Sequence, residues 1–391
     1  MDVQGTEAGS GMILNKWHVP QHIVFRTDAS LQMGTGHVVR CLTLADALRE
    51  RGASCTFICR PHEGHLLALI TRRGHLVVAL PELKDDDTSL LSSFSTPTYA
   101  RWLGTDWQRD VLDTQEALGS DVVDWLVVDH YSLDRQWEQA LRPCCKQLMV
   151  IDDLADRLHD CDFLLDQNLG RKVEDYQKFL PTSAISLIGS QFALLRPEFA
   201  QLRDQSLARR AQPKLKHLLI SMGGVDKGNA TGRVLKALQQ ANFLPQDLHI
   251  TVVMGLHAPW LQQIRFQAMQ MRQPTQVLVD VDNMATLMMN CDLAIGAAGS
   301  TSWERCCLGV PTIQLVLAEN QIRVATALKN LGAVIAINEG ENFCMDIQST
   351  IQKIDSVQLK KLTKCAAALC DGHAAPFIAN KLLNHLSYGG Q

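Results

Sequence analysis

A histidine stands where this chain could use a base. Gly34-Thr35-Gly36-His37 separates an apolar run, residues 22–26, from a stretch with helical spacing, residues 38–51. Glycines at 34 and 36 let the backbone approach a ligand closely, and a helix start offers unpaired N–H groups to an anion. An imidazole titrates near neutrality and can take a proton from water. A second glycine pair, Gly223-Gly224, follows the apolar residues 218–221 and is suited to cradle a diphosphate. A third segment, residues 296–304, joins small residues to hydroxyls and a carboxylate. There Ser300, Thr301 and Ser302 can cap a helix or donate to phosphate oxygens, and Glu304 can hold two vicinal ribose hydroxyls. Asn320 and Gln321 donate and accept at once, which suits acetamido groups and sugar hydroxyls. Arg26 and Asp28 flank the end of the first apolar run and either serve the site or form an ion pair. Each segment alone also has an ordinary explanation as a tight turn, a helix cap or a solvated loop.

The elements that must position these residues alternate between strands and helices. Residues 22–26, 54–59, 76–80, 125–128, 148–151 and 163–165 read as buried strands separated by helix-length spans. In residues 38–51, Val38, Leu42, Leu44, Ala45 and Leu48 can form a buried stripe, and Gly52 stands where a helix would stop. Uniformly apolar strands of this kind indicate a parallel sheet covered on both faces. Ligands of such sheets bind at the carboxyl ends of the strands. Asp129, His130, Tyr131, Asp152, Asp153, Asp166, Gln167 and Asn168 all follow or end these runs and are candidates as a class. A second series begins at residue 218, with strands expected at 249–254, 276–279, 293–295 and 312–315 and a helix at 229–240. The fold class expected is α/β, with two Rossmann-like doubly wound domains facing each other across a cleft. The expected division is a loose leader over 1–21, a first domain over 22–200 and a linker over 201–216. A second domain over 217–374 and a final helix over 375–391, packing back on the first domain, complete it.

Composition removes several classes. The chain has 391 residues, 46% hydrophobic and 20% charged, with a net charge of −4. That length favours two cores, and the charge balance gives no nucleic-acid footprint. No apolar run is long enough to span a bilayer, and the start lacks the form of an export signal, so a cytoplasmic protein is expected. The 12 cysteines include the adjacent pairs Cys144-Cys145 and Cys306-Cys307 but no CxxC, which points to free thiols and away from zinc. The histidine turn is not a Walker loop, and it lacks the full dinucleotide glycine pattern. Trp102, Trp107 and Trp137 read as packing residues. Oligomeric state is not legible.

Taken together and in order, these segments resemble one family. Phe25-Arg26-Thr27-Asp28-Ala29-Ser30 running into Gly34-Thr35-Gly36-His37, then Val128-Asp129-His130-Tyr131, look like the opening of the UDP-sugar hydrolases of pseudaminic acid biosynthesis. Ile151-Asp152-Asp153, Cys161-Asp162 and Asp166-Gln167-Asn168 continue the pattern, followed by Ser221-Met222-Gly223-Gly224-Val225-Asp226. Gly299-Ser300-Thr301-Ser302-Trp303-Glu304 and Glu319-Asn320-Gln321 complete it. The resemblance implies the twin-Rossmann architecture of type-B glycosyltransferases, with water in place of the acceptor alcohol. The reaction implied is hydrolysis of UDP-2,4-diacetamido-2,4,6-trideoxy-β-L-altropyranose to UDP and the free sugar, with inversion. It implies His37 as the base and Asn320 as a substrate contact, with no cofactor and no metal. Arg26, Asp28, Gly34, Gly36, Tyr131 and Gln321 are expected on the sugar side. Gly223, Gly224, Ser300, Thr301, Ser302 and Glu304 are expected on the nucleotide side. A transferase acting on the same donor, or a silent nucleotide-sugar binder, is the competing expectation. Compared with the family, the leader before His22 is long, and residues 81–117 add material between the first strands. Which of Asp129, Tyr131 or Asp152 assists His37 is open at this level.

Overall fold

The computed structural model describes residues 20–82 and 99–388. The expected leader lies outside them except for Pro20 and Gln21, and Gln21 Nε2 donates to the Leu383 carbonyl at 3.1 Å. The first seven strands are β1 (His22–Thr27), β2 (Ser54–Cys59), β3 (Leu76–Ala79), β4 (Val123–Asp129), β5 (Cys145–Ile151), β6 (Phe163–Asp166) and β7 (Ile185–Ile188). They form one parallel sheet in the order β3-β2-β1-β4-β5-β6-β7. Six more are β8 (His217–Ser221), β9 (His249–Met254), β10 (Thr275–Val279), β11 (Leu293–Ala297), β12 (Thr312–Val316) and β13 (Ile335–Asn338). They form a second parallel sheet in the order β10-β9-β8-β11-β12-β13. The fold is therefore α/β with two doubly wound halves, as the apolar runs indicate.

The strand order places the site. Each sheet reverses direction of growth once, between β1 and β4 in the first and between β8 and β11 in the second. A crevice opens at such a point because the connections leave to opposite faces of the sheet. The histidine turn follows β1, and Asp129 ends β4. Gly223-Gly224 follows β8, and Gly299-Ser300 follows β11. Both reversals thus carry the segments singled out by their chemistry.

The helix Gly36–Arg49 is buried on nearly every side, not along one stripe. Its inner face meets the sheet, and the last helix, Ala374–Tyr388, covers its outer face with Ala375, Ile378, Ala379 and Leu382. The polar residues among those buried, His37, Arg40, Thr43 and Asp46, are hydrogen-bonded, as burial requires. Trp125 Nε1 of β4 donates to the Leu382 carbonyl at 3.2 Å, so the chain end is tied back into the first half.

The stretch expected as a linker, 201–216, begins inside a helix. It is helical to Arg209 within Pro197–Arg209, with proline at the first turn where its missing N–H costs nothing. Ser206 Oγ donates to the Leu308 carbonyl at 2.7 Å, and the Arg210 guanidinium donates to the Met288, Met289 and Gly309 carbonyls at 2.8, 3.0 and 3.1 Å. These residues belong to the second core, which Phe199 also enters. Its arginines satisfy carbonyls of the second half, which polar composition alone does not reveal.

Candidate active site

The two halves meet over a cavity of about 370 Å³. Met33, Gly36, His37, Arg40, Tyr131, Asp153, Gln167, Asn168 and Arg171 line it from the first half. Ala298, Gly299, Ser300, Trp303, Glu319, Gln321 and Arg323 line it from the second. The walls stand close, since a methyl added at Gly36 would lie 3.9 Å from Ser300 Oγ.

His37 occupies the first turn of its helix, and its Nδ1 lies 2.6 Å from Asp129 Oδ1. Asp129 is wholly buried and is also clamped by Arg40, Nε to Oδ2 at 2.6 Å and Nη2 to Oδ1 at 2.7 Å. Burial alone would raise this carboxyl, but Arg40 and His37 outweigh it and hold it below the usual carboxylate range. An ionised Asp129 fixes the proton of His37 on Nδ1. The lone pair is then left on Nε2, in a ring that lines the cavity. Asp129 is thus the partner among the three residues left open by the sequence.

A second layer steadies this pair. Arg40 Nη1 reaches Asp153 Oδ2 at 2.8 Å, and Tyr131 donates its phenol to the same oxygen at 2.6 Å. Asn168 Nδ2 donates to Asp153 Oδ1 at 2.7 Å. Burial and Asp153 push the Tyr131 phenol far up, so it remains a donor. Its ring meets the His37 ring edge-on, with centroids 4.6 Å apart. Asp152 lies behind, paired with Arg157 at 2.8 Å and accepting from Tyr176 at 2.8 Å, and makes no contact with His37.

Not every expected residue reaches the cavity. Arg26 and Asp28 are corrected: both are fully buried, paired with each other, and absent from the cavity lining. Arg26 Nη1 bonds Asp28 Oδ1 at 2.7 Å and Arg26 Nη2 bonds Asp110 Oδ2 at 2.7 Å, while Asp28 also accepts from the Arg60 amide at 2.7 Å. Asp28 Oδ2 faces His62 and His130 at 3.7 and 3.4 Å, so the pair is turned into the protein and not toward the cavity. Gly34 takes φ +80° and closes the turn onto Ser30, so its part is to shape the loop. Ser302 is corrected as well: its hydroxyl is buried and accepts from Gln314 Nε2 at 3.0 Å and Arg305 Nη2 at 3.2 Å. Thr301 Oγ1 accepts from Arg305 at 3.1 Å, whereas Ser300 makes no side-chain cap bond and faces the cavity. Glu304 is half-buried at the fourth position of the helix Thr301–Cys307 and forms no side-chain hydrogen bond among the described residues. Burial raises its carboxyl against the opposing pull of Arg196 and Arg305.

Gly223 takes φ +91°, and the pair with Gly224 is exposed at the carboxyl end of β8 without lining the cavity. Gly255 approaches the Gly224 carbonyl so closely that no side chain fits there. Gln321 lines the cavity while its Oε1 accepts from the Leu317 amide at 3.0 Å. Asn320 lies in the turn Glu319–Gln321, and its side chain is outside the described residues.

Sequence reasoning did not single out Arg40, Arg171 or Arg323, and it quoted Glu319 only within a motif, without a role. Arg40 had a signal, since three residues after His37 is the same helix face. Arg171 and Arg323 had none, because only the fold brings their loops together. Arg323 Nη2 crosses the cleft to the Gly170 carbonyl at 3.1 Å and to Asp175 Oδ2 at 3.0 Å. Among the described residues no group of His, Cys, Asp and Glu is arranged to hold a metal ion, and no helix is long and apolar enough to cross a membrane. All twelve cysteines are free thiols.

Residues 227–381 match the glycosyltransferase family 28 C-terminal domain. The UDP-2,4-diacetamido-2,4,6-trideoxy-β-L-altropyranose hydrolase of Campylobacter jejuni is 26% identical over 310 residues, covering 79% of this chain and 97% of that protein. An uncharacterized protein of Methanocaldococcus jannaschii is 24% identical over 305 residues, covering 77% of this chain. The aligned part spans 56% of that protein's length. Among solved structures, MurG of Acinetobacter baumannii superposes with a TM-score of 0.68 at 14% identity, over 93% of this chain and all of that one. The chain thus has the fold of the type-B glycosyltransferases, is similar to the family 28 C-terminal domain over residues 227–381, and resembles the diacetamido-altropyranose hydrolase over most of its length.

Proposed function

We propose that this protein is a UDP-sugar hydrolase that binds a UDP-linked diacetamido deoxy sugar in the cleft and cleaves it with water. The observation that carries this reading is the His37–Asp129 pair on the cavity wall, opposite Ser300. Water attacks the anomeric carbon as the bond to the β-phosphate oxygen breaks. His37 Nε2 takes the proton from water, UDP leaves with the bonding electron pair, and configuration inverts. Asp129 stabilises the imidazolium that forms, and Arg40 holds Asp129 in place. UDP is already a good leaving group, so the remaining task is to place one water and receive charge.

The diphosphate is assigned to the loop at Gly299, Ser300 and Thr301 and to the exposed turn Gly223-Gly224, both at the β8/β11 reversal. Glu304, with its oxygens uncommitted, is assigned to the ribose hydroxyls. Tyr131, Asn320 and Gln321 are assigned to the sugar, and the step is written without a metal. The relative from Campylobacter, aligned over nearly its whole length, supports the hydrolase. The family 28 match favours a second reading, transfer of the sugar to an alcohol acceptor.

The test is to incubate purified protein with the UDP-diacetamido-altrose substrate, without any acceptor, and to follow UDP. Rapid release that collapses in His37→Ala supports both the hydrolase and the base. Release that survives the substitution discards His37. Release only after an alcohol is added selects the transferase.

A further inference from the structure

Residues 99–106 belong to the material inserted between β3 and β4, and they place two aromatic rings beside the base. Trp102 stacks on Tyr131 with centroids 5.6 Å apart and planes 22° apart, and it meets His37 edge-on at 6.4 Å. Tyr99 packs edge-on against both Trp102, at 4.8 Å, and Tyr131, at 5.2 Å. The segment is anchored and not a loose flap. Leu103 is buried in the core with Trp137 and Leu126, Asp106 caps the next helix by accepting from the Arg109 amide at 2.8 Å, and Ser132 Oγ donates to the Tyr99 carbonyl. Tyr99, Trp102 and Tyr131 all remain half-exposed. Burial and the carboxylates of Asp156 and Glu319 push the Tyr99 phenol up, and Glu319 belongs to the opposite wall of the cleft. Rings left half-open beside a reacting centre do not behave as core packing, which is how Trp102 reads in sequence.

We propose that the Tyr99–Trp102 segment is a specificity element: with Tyr131 it builds an aromatic wall beside His37 that accepts an apolar face of the sugar. This inference rests on the nucleotide-sugar reading above. A flat π surface favours C–H groups and disfavours a hydroxyl that would lose its water without gaining a partner. A methyl at C6 suits such a wall, and a hydroxymethyl does not. Trp102 is a positioning residue for Tyr131 and His37 as well as part of the wall.

The test uses the full chain in a His37→Asn background, so that nothing turns over. UDP, the deoxy sugar nucleotide and its analogue bearing a hydroxyl on C6 are titrated by calorimetry. In Trp102→Ala the preference for the deoxy sugar over the hydroxyl analogue should fall by up to roughly tenfold, the scale of one aromatic contact. Affinity for UDP alone should stay unchanged, and Trp102→Phe should restore most of the preference. An unchanged preference in Trp102→Ala overturns the wall alone. So does a parallel loss of UDP affinity, which would mark a general structural role. If the parent protein binds none of the three, the nucleotide-sugar reading fails and the wall falls with it.

Discussion

Two arginine–aspartate networks grow from the carboxyl ends of β1 and β4, and only one of them opens on the cavity. In the first, Arg26, Asp28, Arg60, Asp110 and Asp113 exchange bonds of 2.7–2.9 Å, and Arg26, Asp28 and Asp110 are wholly buried. Trp137 Nε1 closes it by donating to Asp110 Oδ1 at 3.0 Å. His130 is drawn in as well: its Nδ1 accepts from the Ser132 amide, its Nε2 lies 3.4 Å from Asp28, and burial lowers it to about 3. In the second network, Arg40, Asp129 and Asp153 are paired just as closely, but the chain of bonds ends on His37, Tyr131 and Asn168 at the cavity wall. Charge density therefore does not mark the site. What distinguishes the second network is that its carboxylate-held histidine stands on the cavity wall, whereas His159, held the same way by Glu138 at 2.6 Å, is buried away from it.

The largest expected effect separates the two networks by rate. His37→Ala should lower UDP release by ~10² to 10⁴ per folded molecule. A rate within a few fold of wild type would make the second network as structural as the first. Next comes stability. Asp28→Ala leaves Arg26 with one partner fewer in a dry site, so urea denaturation should show a loss of ~3–5 kcal/mol. The turnover of the folded fraction should stay close to wild type. A stable but inactive Asp28→Ala would return Asp28 to the site.

A smaller effect lies behind the second network. Burial, with Asp153 nearby, raises the Asp166 carboxyl to about 7, beside Tyr176, Asp152 and Arg171. The folded chain then holds a proton that the unfolded chain, titrating near ~3.9, releases. The contribution of Asp166 to stability is full below about 4 and is lost as pH rises towards about 7. Asp166→Asn should flatten this part of the pH dependence in denaturant midpoints between those values. An identical slope in both proteins would place the proton elsewhere. The smallest effect belongs to the clasp across the cleft. Asp175 and Arg323 are 35% and 50% exposed, so Asp175→Ala removes only ~0.2–1 kcal/mol. KM should rise less than about fivefold, and the rise should shrink at high salt.

Much of the fold was legible because parallel strands buried on both faces carry unbroken apolar runs. β4 and β5 are plain in residues 125–128 and 148–151 for that reason. β7 and β13 were not read, being four residues each and half-exposed at the sheet edges. The stretch 196–216 reads as a helix plus linker, and the attachment of the helix Pro197–Arg209 is not legible because its arginines bond carbonyls that only the folded second half supplies. At the site, His37 and Ser300 were legible as types at helix starts, and Tyr131 as a strand-end residue. Arg26 and Asp28 looked equally suitable, and only the position of the cavity tells them apart from His37. Arg171 and Arg323 carry no local signature, since their position depends on two loops meeting across the cleft.

The most direct measurement is to run the reaction in ¹⁸O-labelled water and to follow both products by mass spectrometry and NMR. Water activated by His37 requires one ¹⁸O on the anomeric carbon of the released sugar, none in UDP, and an inverted anomer at first appearance. Label in the phosphate of UDP, retention at the anomeric carbon, or no product until an alcohol acceptor is supplied would contradict hydrolysis by water attack in this cleft.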